Sequence, residues 1–143
     1  MADWLLLHYN ISAKPSAQRV YIWRKLKRLG AVLLQNAVWI LPDTPRTAEK
    51  FQWLVTEIQD MNGDAILWRS KVVLGVQEEA LVARFLEQVD DEYQQLMEKL
   101  GHKNPDLGEL SRQYQQISGE DYFHSELGGQ VRRKLLALRG DVE

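Results

Sequence analysis

Apolar and polar positions near the start of the chain predict a strand followed by a helix. The nearly continuous apolar run from Trp4 to Ile11 is typical of a strand that is central in a sheet or covered on both faces. Ser16 is a suitable N-cap for a helix that runs to Leu29, and Gly30 then ends that helix.

The pattern continues with a hairpin over residues 31–41, a helix from Thr44-Pro45 to Asn62-Gly63, and a strand over Ala65–Val73. The polar pair Gln35-Asn36 interrupts the first of these segments, which favours two short strands, although one long strand is the alternative. Apolar residues recur every three or four positions in the second helix, so one of its faces is apolar.

The resulting order β-α-β-β-α-β is that of the split βαβ, or ferredoxin-like, arrangement in the α+β class. Right-handed crossovers then give an antiparallel four-stranded sheet with both helices on one face. Residues 77–143 show only helical periodicity and predict three helices. We therefore expect a ferredoxin-like domain over residues 1–76 and a C-terminal helical extension over residues 77–143, packed on it as one structural unit.

Composition removes several classes of function. The chain of 143 residues has no cysteine, which excludes disulfides, zinc ribbons and thiol redox chemistry. Its three histidines (His8, His102 and His124) do not occur at metal-ligand spacing, and no apolar run approaches the length of a membrane span. The start of the sequence does not resemble a signal peptide, so we expect a cytoplasmic protein without a membrane partner.

Charge is unevenly distributed along the chain. Residues 1–76 hold ten basic and six acidic residues, whereas residues 77–143 hold eight basic and fourteen acidic ones. A basic front and an acidic back indicate either two parts with different partners or two halves that attract each other.

The first predicted helix concentrates the positive charge. At 100° per residue, Arg24, Lys25 and Arg28 lie opposite the apolar side, with Lys27 at the border, and the helix contains no acidic residue. Such a helix repels itself unless a polyanion or an acidic surface faces it. Four or five phosphate contacts would make log K fall with log salt at a slope near −4. The alternative is a solvated face turned toward the acidic half.

Arg19 and the aromatic residues allow two interpretations. Arg19 falls on the apolar side of the same helix, where it either has a buried stem and a carboxylate partner or binds an oxyanion at the helix start. The five tryptophans are suited to stacking on nucleobases, but we expect most of them in the core. His8 alternates within the first strand, so we expect a buried histidine.

Several segments resemble the N-terminal domain of ChrB proteins, which are bacterial chromate-resistance proteins described as chromate-responsive regulators of the chromate-efflux operon. The segments that carry the likeness are Trp4–Leu7, Arg19–Leu26, Leu29-Gly30-Ala31 and Gln35–Pro42. The likeness continues through Trp53-Leu54 and the fourth strand, and Asp121-Tyr122-Phe123 fits the C-terminal helices of that family. Full-length ChrB proteins usually carry a further C-terminal domain, so we expect either a stand-alone version or an excised domain.

More distantly, the pattern is similar to the ferredoxin-like domain of the phenylacetate repressor family and to the small nuclease-like subunit of CRISPR adaptation. These resemblances imply a homodimer. The nuclease-type relatives place a metal-binding aspartate at the end of the first strand, where this sequence has His8-Tyr9-Asn10. An amide is a poor ligand for a hard cation, so we expect no metal-dependent cleavage, and no enzyme.

The sequence and its resemblance together imply a ChrB-type transcriptional regulator of chromate resistance that binds DNA as a homodimer. Arg24, Lys25, Lys27 and Arg28 are the predicted nucleic-acid contacts, and Arg19 is the predicted anion ligand; no cofactor and no metal site is indicated. One alternative is an oxyanion (chromate) sensor without direct DNA contact. Another is a vestigial nuclease fold that serves protein–protein interaction.

Overall fold

The computed structural model describes residues 3–12, 14, 16–35 and 38–140. The chain divides after Ala80 into two compact units. No helix within these described ranges has the length and apolar character needed to cross a membrane. The predicted packing of residues 77–143 on residues 1–76 stays a prediction.

The first unit contains a four-stranded antiparallel sheet with the strand order β2-β3-β1-β4. Its elements are β1 (Asp3–Asn10), α1 (Ser16–Arg28), β2 (Val32–Leu34), β3 (Val38–Pro42), α2 (Pro45–Asp60) and β4 (Asp64–Lys71). This is the predicted α+β, ferredoxin-like order, and the two short strands of the predicted hairpin are confirmed.

Strand β1 lies at the centre of the sheet, which explains its apolar run. Its residues pair with β3 on one side, as in Leu5↔Leu41, and with β4 along its whole length on the other. Leu5, Leu7 and Leu41 are almost fully buried. A strand with neighbours on both sides and cover over its side chains has little room for polar residues.

Both helices of the first unit lie on one face of the sheet. Tyr9 and Trp39 alternate onto the same face, and both line one depression with Arg19 of α1. Helix α1 is joined in turn to α2 by an ion pair between Lys25 and Glu57. Helix α2 begins with the cap Thr44 followed by Pro45, as the sequence predicts, and Thr44 also forms a capping box with Thr47.

The second unit is helical. Helix α3 (Gly75–Leu100) begins in the first unit, and α4 (Leu107–Gly119) and α5 (Glu126–Leu138) follow. Its core consists of apolar residues at helical spacing, namely Val89, Tyr93, Leu96, Leu100, Leu110, Ile117, Val131 and Leu135.

The segment between α4 and α5 forms the packed corner predicted for Asp121-Tyr122-Phe123. The rings of Tyr122 and Phe123 meet Phe85 edge to face, with centroids 6.3 and 5.6 Å away. The Tyr93 hydroxyl donates a hydrogen bond of 3.0 Å to Asp121 Oδ2. Burial, together with this hydrogen bond, raises the pKa of Tyr93 far above its ordinary value.

Two sequence-based expectations about buried aromatic and histidine side chains are wrong. Trp4 and Trp39 are buried, but Trp23, Trp53 and Trp68 are 49%, 62% and 53% exposed. The first two of these point outward from helices, and the third lies on the edge strand β4.

His8 is also exposed, because it lies between Leu7 and Tyr9 in the strand and therefore points away from the face that carries the helices. Its neighbour on β4, Ile66, is itself exposed. A residue within an apolar strand can therefore be exposed when its side chain points to a face of the sheet that is not covered at that position.

The close approach of α5 to α3 depends on the absence of a side chain at Gly128. A Cβ atom at this position would lie 2.7 Å from two ring atoms of Tyr93. We expect Gly128→Ala to lower the free energy of unfolding by about 1–3 kcal/mol, because the ring must move from its packed position. Far-UV circular dichroism in urea measures this, since all five tryptophans lie before residue 81.

Gly129→Ala is the matched control on the same helix. Its Cβ would have an ordinary contact, with Arg133 Nη1 3.5 Å away, and removal of a helical glycine stabilises by roughly 0.5–1 kcal/mol. Equal stability of the two variants would contradict the close packing of Gly128 against the Tyr93 ring.

Candidate nucleic-acid interface

Helix α1 buries one side and exposes a long cationic face. Ile22 and Leu26, one turn apart, are fully buried, whereas Arg24 and Arg28 form the next turn-spaced pair and point away from the core. No acidic residue occurs anywhere in the helix. The burial of Ile22 and Leu26 and the exposure of Arg24 and Arg28 are as the helical wheel predicts, whereas Trp23, which the wheel places on the apolar side, is 49% exposed.

Lys25 is one predicted DNA contact whose charge is balanced within the first unit. Its ammonium lies 2.7 Å from Glu57 Oε1 of α2 and 5.0 Å from the centre of the Tyr21 ring. The hydrogen bond to Glu57 raises the pKa of Lys25. Burial raises the pKa of Glu57, but the hydrogen bonds from Lys25 and Tyr21 outweigh it, so the pKa of Glu57 is lowered.

Arg24, Lys27 and Arg28, the other three predicted DNA contacts on α1, have no ion pair with any residue that the structure describes. We call them the unbalanced cations. Lys27 lies 5.9 Å from the centre of the Trp23 ring, which is a cation–π contact at an exposed site. Lys27 and Arg28 are in the last turn, where positive charge also stabilises the helix dipole.

Helix α2 adds a cation and an aromatic ring that were not predicted to belong to this interface. Lys50 and Trp53 lie one turn apart and are both exposed. The sequence does indicate that Trp53 is exposed, because Trp53 falls opposite the apolar side of the helix formed by Phe51, Leu54 and Ile58. A tryptophan on the polar side of an amphipathic helix is not a core residue.

The two helices enclose a groove, here called the α1–α2 groove, with a volume of about 290 Å³. Its lining consists of Lys25, Arg28, Leu29, Lys50, Trp53, Leu54 and Glu57. A shallow depression of about 470 Å³ continues along α1 past Tyr21 and Arg24 and shares Lys25 and Arg28 with the groove. The cationic surface is thus concave rather than flat.

Arg19 lies at the other end of α1 and is exposed, which differs from the interpretation of a buried stem with a carboxylate partner. It lines two adjacent depressions, of about 360 and 180 Å³, that share Tyr9 and Trp23. Burial raises the pKa of Tyr9, although a hydrogen bond with Trp39 and the charge of Arg19 oppose the increase. The structure therefore separates Arg19 from the outward row of Arg24 and Arg28.

Within the described residues, no three histidine, aspartate or glutamate side chains come together as a group that could hold a metal ion. Asn10 ends β1, as expected.

The Lys25–Glu57 pair has a predictable pH dependence. A carboxyl group with a lowered pKa stabilises the fold above its ordinary value of 4.5, and this contribution is lost as the pH falls below it. Because the two side chains are 41% and 27% exposed, we expect Glu57→Gln to cost up to about 1 kcal/mol at pH 7. The difference from wild type should disappear in acid.

Urea unfolding followed by tryptophan fluorescence measures this in the first unit, which contains every tryptophan. Glu49→Gln is the control on the same helix, because Glu49 is exposed and has no ion pair among the described residues. A cost at Glu57 that persists unchanged below pH 4.5 would show that the charge of the carboxylate is not its source.

Comparison with known proteins shows the family to which this sequence is similar. The family described as "Protein ChrB, N-terminal" matches residues 19–120, which include α1 from Arg19 onward, the whole of α2 and every residue that lines the groove. Protein ChrB of Cupriavidus metallidurans is 27% identical over 106 residues, or 74% of this chain. The chain spans about a third of the length of that relative, since the match covers 32% of it. The chain therefore belongs to the ChrB N-terminal family.

Proposed function

We propose that this chain is the DNA-contacting part of a ChrB-type regulator of chromate resistance. The observation that carries the proposal is the set of unbalanced cations on α1. This helix contains no acidic residue, and its Arg24 and Arg28 point away from the core. Lys50 of α2 extends the positive surface across the α1–α2 groove. Phosphate contacts from these residues position a protein on DNA without selecting a sequence.

Lys25 has a smaller part in this proposal than the sequence predicts. Its ammonium is already bonded to Glu57, so a phosphate would have to compete with a carboxylate at hydrogen-bond distance. Arg24, Lys27, Arg28 and Lys50 are the four cations assigned to phosphate contact.

The proposal includes assembly as a homodimer, as the distant resemblances imply. Ile66 and Trp68 on β4 are more than half exposed, and apolar side chains of this size are commonly buried between subunits. A dimer would then present two identical cationic surfaces to one duplex at a fixed spacing.

Four phosphate contacts make log K fall with log salt at a slope near −4, from about 0.9 per phosphate. We expect Arg24→Glu/Arg28→Glu to abolish binding to all DNA sequences alike. Fluorescence anisotropy with labelled duplexes over a salt series gives both the affinity and the slope.

Arg133→Glu/Lys134→Glu is the matched control, because it changes the net charge equally at exposed positions of α5. Loss of binding in both variants would indicate a general charge effect, and retention in Arg24→Glu/Arg28→Glu would exclude α1 as the contact.

Oxyanion sensing at Arg19 is the second candidate function. The depression lined by Tyr9, Ser16, Arg19, Val20 and Trp23 favours it, because a guanidinium beside an aromatic wall is a suitable oxyanion ligand. We expect saturable quenching of tryptophan fluorescence by sulfate, which does not absorb at the wavelengths used, and loss of this quenching in Arg19→Gln. Chloride at matched ionic strength is the control, and equal quenching by both salts would exclude the site.

A further inference from the structure

We infer that the α1–α2 groove binds an unstacked nucleobase and that the chain consequently prefers single-stranded or locally opened DNA to an intact duplex. This rests on the proposed function, since it assigns a form of nucleic acid to the same surface. Its basis is the coincidence of a concave shape, unpaired cations and an exposed indole in one groove.

Trp53 is the central residue of this inference. Its side chain is 62% exposed on the polar side of α2. One exposed aromatic residue on a protein surface needs no explanation. Here, however, the ring lines a groove together with Arg28 and Lys50. Stacking platforms for single strands combine these two features, an aromatic face for the base and nearby cations for the backbone.

The electrostatics of the groove suit a phosphate-bearing ligand. Its lining includes three cations, Lys25, Arg28 and Lys50, and one carboxylate, Glu57. The carboxylate is held by Lys25 at 2.7 Å, which leaves Arg28 and Lys50 without an ion-pair partner among the residues described. The groove is therefore net positive, and its anionic group is already neutralised.

The size and lining of the groove suit a single base. A volume of about 290 Å³ is near the lower end of the range for small-molecule sites, about 300–1,000 Å³. Leu29 and Leu54 provide apolar contact beside the indole. Bases within a duplex are stacked on each other and cannot enter, so a duplex would contact the cations through its phosphates alone.

The first experiment compares single-stranded oligothymidine with a duplex of similar phosphate number at the same salt concentration. We expect the wild-type chain to bind the single strand more tightly. Trp53→Ala should lower affinity for the single strand about 5- to 150-fold, as expected for loss of one stacked base, and leave duplex affinity unchanged. Trp53→Phe should retain most of the preference, because it keeps an aromatic face.

Gln52→Ala is the control, since Gln52 is exposed on the same helix but does not line the groove. It should leave the ratio of the two affinities unchanged. Equal affinity for single strand and duplex, or a ratio that Trp53→Ala does not alter, overturns the inference while the proposed function stands. Failure of the wild-type chain to bind either form overturns both.

A second measurement detects stacking directly. In the variant Trp23→Phe/Trp68→Phe, Trp53 is the single exposed tryptophan, because Trp4 and Trp39 are buried. Oligothymidine should quench its fluorescence saturably, whereas an abasic strand with the same phosphates should not. Equal quenching by both strands would mean that only the backbone is bound and would overturn the inference.

Discussion

The ion pair between Lys25 and Glu57 neutralises one of the five positive charges of helix α1. It joins the two helices on one face of the sheet at a distance of 2.7 Å and balances one cation of the acid-free helix. Repulsion among like charges would otherwise oppose the formation of α1. Lys25 and Glu57 both line the α1–α2 groove, together with Arg28 and Lys50. The same contact thus contributes to stability and shapes the cationic surface.

Hydrophobic periodicity was sufficient to predict the architecture of the first unit. The apolar run of β1, the polar interruption before β3 and the cap at Thr44 each have a local physical cause, and each is found where the pattern places it. The corner at Asp121-Tyr122-Phe123 was likewise predictable, because adjacent aromatic rings in a short connection need a buried surface. Local rules work here because local preference and tertiary packing agree.

Tertiary features of the site were harder to predict. A helical wheel separates buried from exposed positions, but it does not reveal that Glu57 of another helix bonds Lys25. It also placed Arg19 on the apolar side, whereas the start of α1 leaves that guanidinium in solvent. The sequence shows Trp53 as an aromatic residue on the polar side of a helix, but it does not show that Trp53 lines one groove with Lys50 and Arg28. Contacts between residues that are far apart in the sequence can be identified only when the fold is known.

The two margins of the sheet differ in a way that affects the behaviour of the protein in concentrated solution. Strand β2 has only 3 residues, and β4 has 8, with charged side chains at Asp64, Arg69 and Lys71. The very short edge strand β2 offers few free backbone groups to another chain. Charged residues disfavour strand addition along the longer edge strand β4. Both features disfavour strand addition at the edges of an otherwise open sheet and so oppose growth into fibrous aggregates.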